Sequence, residues 1–220
     1  MKNLLFFILA ILIFHSCKKE NIIIIDPLEL EEKPSDYLPM EVGNYWIYET
    51  FQVEENGDEF SVDLDTMTII RDTLIGADRF FIFHHTSQGS FTFTHLLPQF
   101  LGLKNDHVVN ADGTTFLSLR HNDTLQVASF GILEDLEIIT MMSTENNKFI
   151  EVPAGDFETE IIDKQIWVTG PQVTEPFIQH EYYKKNVGII WKEIVFLSID
   201  NNNITGRVGF VLKLKEYHLN

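Results

Sequence analysis

From Tyr37 onward the sequence alternates polar and apolar residues with a period of two, and a helical period is scarce. This pattern constrains the fold more than any other feature of the chain. Successive side chains on an extended backbone point to opposite faces, so such alternation builds antiparallel sheet with one dry and one wet side. Phe60, Val62 and Leu64 fall on one side of such a strand, and Ser61, Asp63 and Asp65 on the other. Phe91 and Phe93 alternate with Thr92 and Thr94, and Phe210, Leu212 and Leu214 with Val211, Lys213 and Lys215. Residues 79–85 and 187–197 are apolar on both sides, which places them centrally in a sheet or under another layer.

Turn chemistry separates these runs. Asn56-Gly57, Gly76-Ala77 and Asp112-Gly113 tolerate the positive backbone angles of tight hairpins, and residues 200–203 (Asp-Asn-Asn-Asn) mark a further turn. The pattern predicts an all-β fold, a single curved antiparallel sheet or half-open barrel of about eight to eleven strands. Residues 95–104 and 130–142 interrupt the alternation and predict one or two short helices. No repeat or boundary breaks residues 37–220, so they form one antiparallel β domain, long enough to bury roughly 70% of its unfolded surface.

The N-terminus reads as an export signal over residues 1–16. Lys2 supplies the positive start, and residues 4–14 are an unbroken apolar run, too short for the ~20 residues a bilayer span needs. The run ends at His15-Ser16-Cys17, and Cys17 is the chain's single cysteine, which excludes an internal disulfide. Apolar run, Ser16 and Cys17 together resemble the lipobox of bacterial lipoproteins, with Phe14 and His15 departing from the usual aliphatic and small residues. The resemblance implies acylation of Cys17 and cleavage before it, and two or more acyl chains give stable membrane anchoring. Lys18-Lys19-Glu20 resemble the start of Bacteroidota lipoproteins, which implies the outer membrane, with the leaflet open.

Residues 17–36 then form a lipidated tether carrying Pro27, Pro34 and the acidic Glu29, Glu31 and Glu32. Four isoleucines at residues 22–25 favour an added edge strand. With 33 acidic against 16 basic residues and a formal charge of −17, the chain would be repelled by nucleic-acid phosphates and by anionic membrane surfaces.

Three segments of the body resemble a pattern recurring in small Bacteroidota lipoproteins of unknown function. They are Tyr37-Leu38-Pro39 through Gly43-Asn44-Tyr45-Trp46-Ile47-Tyr48; Arg71-Asp72-Thr73-Leu74-Ile75-Gly76; and Val152-Pro153-Ala154-Gly155-Asp156-Phe157-Glu158-Thr159, followed by Tyr182-Tyr183 and Val187-Gly188-Ile189. The resemblance implies a curved sheet similar to LolA-type or lipocalin-like folds and transfers no activity. Physically, Gly43 and Gly155 suit unusual backbone angles where strands begin, Pro153 stops pairing before a strand, and Trp46, Trp167 and Trp191 read as core or sheet-face packing.

Catalytic signatures are missing. There is no G-x-S-x-G, G-x-x-x-x-G-K or H-E-x-x-H. His84 and His85 are adjacent on a strand and point apart, while His95, His107, His121, His180 and His218 are scattered without zinc-type spacing. Asp63 and Asp65 share a face but lack an oxygen-rich loop, so they read as a solvated strand face, and residues 200–203 lack the later carboxylate of a calcium loop. No enzyme, metal or cofactor is expected. Asp65-Thr66-Met67, Asp72-Thr73-Leu74 and Asp123-Thr124-Leu125 resemble the Bacteroidota O-glycosylation acceptor, which implies possible glycans on Thr66, Thr73 and Thr124. The expected role is a lipid-anchored envelope protein, a binding module for an apolar or glycan ligand. Eighteen phenylalanines suggest a lined pocket. The alternative is an accessory subunit working through protein contacts in an outer-membrane assembly.

Overall fold

The structure is a computed structural model, and it describes residues 32–87, 98–119, 123–129, 137–169, 177–200 and 203–220. The signal segment, Cys17, the isoleucine run at 22–25, the Phe91/Phe93 strand, His95 and His121 lie outside the described residues.

The chain is a succession of hairpins. The strands are β1 (Tyr45–Val53), β2 (Glu59–Ile75), β3 (Asp78–Ser87), β4 (Phe100–Lys104), β5 (His107–Asn110), β6 (Thr115–Leu117), β7 (Asp123–Ser129), β8 (Glu137–Val152), β9 (Gly155–Thr169), β10 (Phe177–Lys184), β11 (Gly188–Asp200) and β12 (Asn203–His218). All twelve join one antiparallel sheet in the order β6-β5-β4-β3-β2-β1-β12-β11-β10-β9-β8-β7. The expected all-β fold with a single antiparallel sheet is therefore present. The sheet is one strand beyond the expected range because residues 100–117 fold into three very short strands. β3 and β11, the doubly apolar stretches, both lie inside the strand order.

The expected helices are not found where they are described. Residues 100–104 form β4 and residues 137–142 open β8, and the rest of both segments lies outside the described residues. A short apolar run satisfies strand and helix periods alike, and cross-strand pairing decides between them. A 3-10 turn, Pro34–Tyr37, precedes β1.

Glycines take positive φ at the expected hairpin turns, at Gly57, Gly76 and Gly113. Asp200 pairs with Asn203, so the Asp-Asn-Asn-Asn stretch does join two strands.

The sheet curls strongly. β6 and β7 are its two edges, yet residues 118–122 alone connect them, and six Cα steps span at most about 22 Å. The Lys164 ammonium on β9 lies 4.8 Å from the ring of Phe116 on edge strand β6, so the near edge folds back over the concave face. The sheet order nevertheless stays linear and does not close into a barrel.

One end of the concavity is filled. Tyr37, Leu38, Trp46, Tyr48, Met67, Ile69, Leu101, Val108, Leu117 and Leu214 are wholly or almost wholly buried in one cluster. The segment before β1 caps this end. Trp46 Nε1 donates to the Val187 carbonyl (2.7 Å) and Tyr48 OH to the Ile189 carbonyl (3.1 Å), which ties β1 to the β10–β11 hairpin, and the Asn186 N–H donates to the Asp36 carbonyl (2.6 Å), which fixes the cap to the same turn. Trp46 is thus core, as expected, and Trp191 is half-buried against Tyr182 with ring centroids 4.8 Å apart; the side chain of Trp167 lies outside the described residues.

Candidate functional site

Strand pairing defines rows of side chains running across the concave face, because residues opposed in an antiparallel ladder share a face. One row runs Ile162–Glu181–Lys192–Leu212–Thr50–Asp63 over β9, β10, β11, β12, β1 and β2. All six are buried. Four of them are polar, an unusual content for the inside of a sheet.

This overturns the expected placement of Asp63 and Asp65. Thr50 pairs with Asp63 but Phe51 pairs with Ser61, so a bulge at Val62 skips one residue. A one-residue slip moves a strand's side chains to the other face. Beyond the bulge Asp63, Asp65, Met67 and Ile69 are the inward set, and all are buried rather than solvated. Thr50 Oγ1 donates to Asp65 Oδ2 (3.2 Å).

Glu181 anchors the other side of the row. It is wholly buried, and its Oε1 accepts from Lys164 Nζ (2.9 Å), Lys192 Nζ (3.0 Å) and Gln179 Nε2 (3.2 Å), while Oε2 accepts from Tyr183 OH (2.7 Å). Burial alone would raise this carboxyl. The charges of Lys164 and Lys192, with the hydrogen bonds from Lys164 and Tyr183, outweigh burial and hold it at about 2. Burial also pulls the Lys164 ammonium below its usual value, partly offset by Glu181 and reinforced by Lys192. The Tyr183 phenol is pushed well up, by burial first and by Glu181 second.

Toward the end opposite the cap, the next positions inward are Lys164 paired with Gln179, Ile194 with Phe210, and Gln52 with both Phe210 and Phe60. Phe60 is 55% exposed, so the wall opens to solvent here. The concave face is therefore graded, from an apolar floor, through a charged band, to an amphipathic rim. The lysine side chains in the band keep 12% (Lys164) and 10% (Lys192) of their surface open, against 0% for Glu181.

Among the described residues the phenylalanines do not gather into one pocket. Phe83 is core, whereas Phe149 and Phe196 are exposed along with Phe60. A second apolar surface lies on the arm of the β2–β3 hairpin, where β2 runs past the end of β1. Leu74 is 70% exposed there, and Ile70 and Ile75 are also exposed. Beside it Arg79 sits over the Phe81 ring (5.0 Å) and pairs with Asp72 (2.6 Å), in a shallow recess lined also by Met40, Glu41 and Val42.

The remaining sequence-derived residues scatter. His84 is exposed and His85 half-buried on the opposite face, as expected of neighbours in a strand. Among the described residues no three His, Cys, Asp or Glu side chains converge as metal ligands. Thr66 and Thr73 are half-buried on β2, and the Thr124 side chain lies outside the described residues. Gln179, Glu181, Lys164 and Lys192 belong to no motif of the sequence, and Tyr183 enters only through the family resemblance. Their signal was present, in Lys192 set inside an apolar strand and in the alternation of Gln179, Glu181 and Tyr183.

No family model matches the chain, and no curated protein matches it. Two solved structures are similar to it over most of its length. One is a Bacteroides fragilis protein described as exported, with a YmcC-like fold, at 9% identity and TM-score 0.48, covering 83% of this chain and 99% of that one. The other is described as a lipoprotein of Parabacteroides distasonis, at 12% identity and TM-score 0.43, covering 83% of this chain and 98% of that one. Neither likeness carries a function to this chain.

Proposed function

We propose that this is an envelope lipoprotein, held at the outer membrane by acyl chains on Cys17, whose curled sheet is a non-catalytic binding module for a glycan. The graded concave wall carries the reading. A lumen meant for a wholly apolar ligand would gain nothing from a buried band of Thr50, Asp63, Glu181 and Lys192, since each buried charge costs several kcal/mol of solvation. Sugars present both hydroxyls and apolar ring faces, which suits a polar band next to an amphipathic rim. The non-catalytic part rests on Glu181. A carboxyl already accepting from four donors and held at about 2 is a poor general acid or base near neutral pH.

Native mass spectrometry of the chain purified from its source cells tests this. Extra mass of carbohydrate, lost on denaturation, is the expected result. A bare mass would count against it.

The exposed Leu74, Ile70 and Ile75 on the β2–β3 arm favour a second reading, an accessory subunit that docks a protein partner. On that reading, crosslinking in cells returns a reproducible partner from positions around Leu74 and the purified chain carries no ligand.

A further inference from the structure

We propose that the outer edge of β2 over residues 70–75 is a docking strand for a second copy of this chain, which pairs with it antiparallel about a two-fold axis at Thr73. The inference stands apart from the glycan reading and gives the surface around Leu74 to self-association.

β2 runs on past its neighbour. β1 pairs with it only as far as Thr68; beyond that the Gly43 N–H donates to the Ile69 carbonyl (2.8 Å) and the Ile69 N–H to the Asn44 carbonyl (2.9 Å). From Arg71 to Ile75 it pairs, among the described strands, with β3 alone. An open edge of this kind is a template for another extended strand. The ladder tells which of its groups are free. The Phe83 N–H donates to the Gln99 carbonyl (2.9 Å), on the β4 side. Alternation then turns Ile82 and Phe80 toward β2, and their partners Arg71 and Thr73 toward β3. The N–H and C=O groups of Asp72 and Leu74 are left facing outward. A two-fold register centred on Thr73 joins these groups to each other, with Asp72 opposite Leu74 and Arg71 opposite Ile75. Centring on Asp72 would set two carboxylates side by side, and centring on Arg71 would need the Ile69 groups already used by Gly43 and Asn44. Centring on Leu74 would run into the turn at Gly76, whose φ is 64°. The side chains suit the same contact. Leu74 is 70% exposed, Ile70 and Ile75 are exposed beside it, and Thr73 meets Thr73 across the axis, a favourable cross-strand pair. Charge permits it as well. Arg71, Arg79 and Lys104 balance Glu41, Asp72 and Asp78 around the arm, in a chain whose formal charge is −17. Two copies can therefore meet here without the repulsion that the acidic surface imposes elsewhere.

The test uses the full-length protein with single substitutions. Thr73→Cys sets two sulfurs across the axis at the Cα separation of about 4.5 Å of a non-hydrogen-bonded pair, which a disulfide spans. In native membranes under a mild oxidant this variant is expected to run as a covalent dimer, and Phe149→Cys, 77% exposed on β8, as a monomer. Sedimentation equilibrium in detergent gives the second readout. Ile75→Lys stands opposite Asp78 within its own hairpin and opposite Arg71 of the second copy. It is expected to keep the fold and to weaken the dimer about tenfold, because the symmetry applies the repulsion twice. Ile75→Glu meets the reverse pattern, a like charge within the hairpin and an opposite one across the axis, and is expected to keep the dimer. A monomer by both methods, or equal association of Ile75→Lys and Ile75→Glu, overturns the pairing and leaves the glycan reading untouched. A disulfide from Thr73→Cys to a different protein overturns it as well, and leaves the accessory-subunit reading standing.

Discussion

At the scale of single residues, Glu181 is the most consequential side chain described. Its partners make it stable only as a charged group within a complete set. Glu181→Gln removes the anion and leaves Lys164 and Lys192 facing each other, and a broken buried pair costs about 3 kcal/mol or more. A chemical-denaturation midpoint well below that of the parent, with an unchanged m-value, is the expected outcome. The same group sets an acid limit. Its folded pKa lies below the ordinary value of 4.5, so its stabilisation is complete above about pH 4.5 and is lost as pH falls toward about 2. Melting temperatures of the parent should therefore fall over that window, and those of Glu181→Gln should fall less.

The tyrosines give the opposite sign. Tyr37 lies with its hydroxyl between the carboxylates of Glu32 and Glu160, and Tyr48 and Tyr183 are wholly buried. Burial is the leading cause that raises all three phenols, with the neighbouring carboxylates adding to it at Tyr37 and Tyr183. A raised pKa adds stability below the unfolded value of 10 that is lost as pH climbs above it. Absorbance titration of the native protein should show Tyr37, Tyr48 and Tyr183 still protonated at a pH where unfolded tyrosines ionise, followed by their ionisation together with alkaline unfolding. Independent ionisation of all six near pH 10 without unfolding would contradict the burial described.

At the scale of elements, the alternation was readable and its phase was not. Residues 60–65 carry a clean period of two, and the strand exists as expected. A single bulged residue, Val62, then reverses which face is dry, so Asp63 and Asp65 are buried where solvent was expected. The sequence does change phase along this strand, with apolar residues at 60, 62 and 64 and then at 67 and 69, but where the slip falls is set by the register against β1. The short strands β4 to β6 escaped for a related reason. Each is too short to display a period, and pairing alone defines it. Gly102 shows how tight that pairing is. A Cβ there would lie 2.7 Å from the Arg79 carbonyl oxygen and 2.9 Å from the Phe80 ring. Gly102→Ala is expected to destabilise the protein by about 2 kcal/mol through overpacking of β3 against β4. A melting temperature equal to the parent's would show that the two strands sit further apart.

At the scale of the whole molecule, the sheet is a wall that curls until its far strands meet. Linear strand order keeps it open, whereas the contact of Phe116 with Lys164 makes one edge roof the charged band. The curved sheet was legible from alternation and hairpin turns. The charged band was not, because it is assembled from β1, β2, β9, β10 and β11, distant in sequence and joined only by transverse register. Eighteen phenylalanines pointed to an apolar pocket, but those described divide between core, rim and outer surface, and the polar residues characterise the lumen instead.

The most direct test of a ligand-filled lumen is amine footprinting of Lys164 and Lys192 by mass spectrometry, on protein taken gently from native membranes and on the same protein after denaturation, removal of small molecules and refolding. The account predicts that both lysines are protected in the native preparation and become several-fold more reactive in the stripped one, while exposed lysines such as Lys104 and Lys215 do not change. Equal labelling of Lys164 and Lys192 in the two preparations would contradict it.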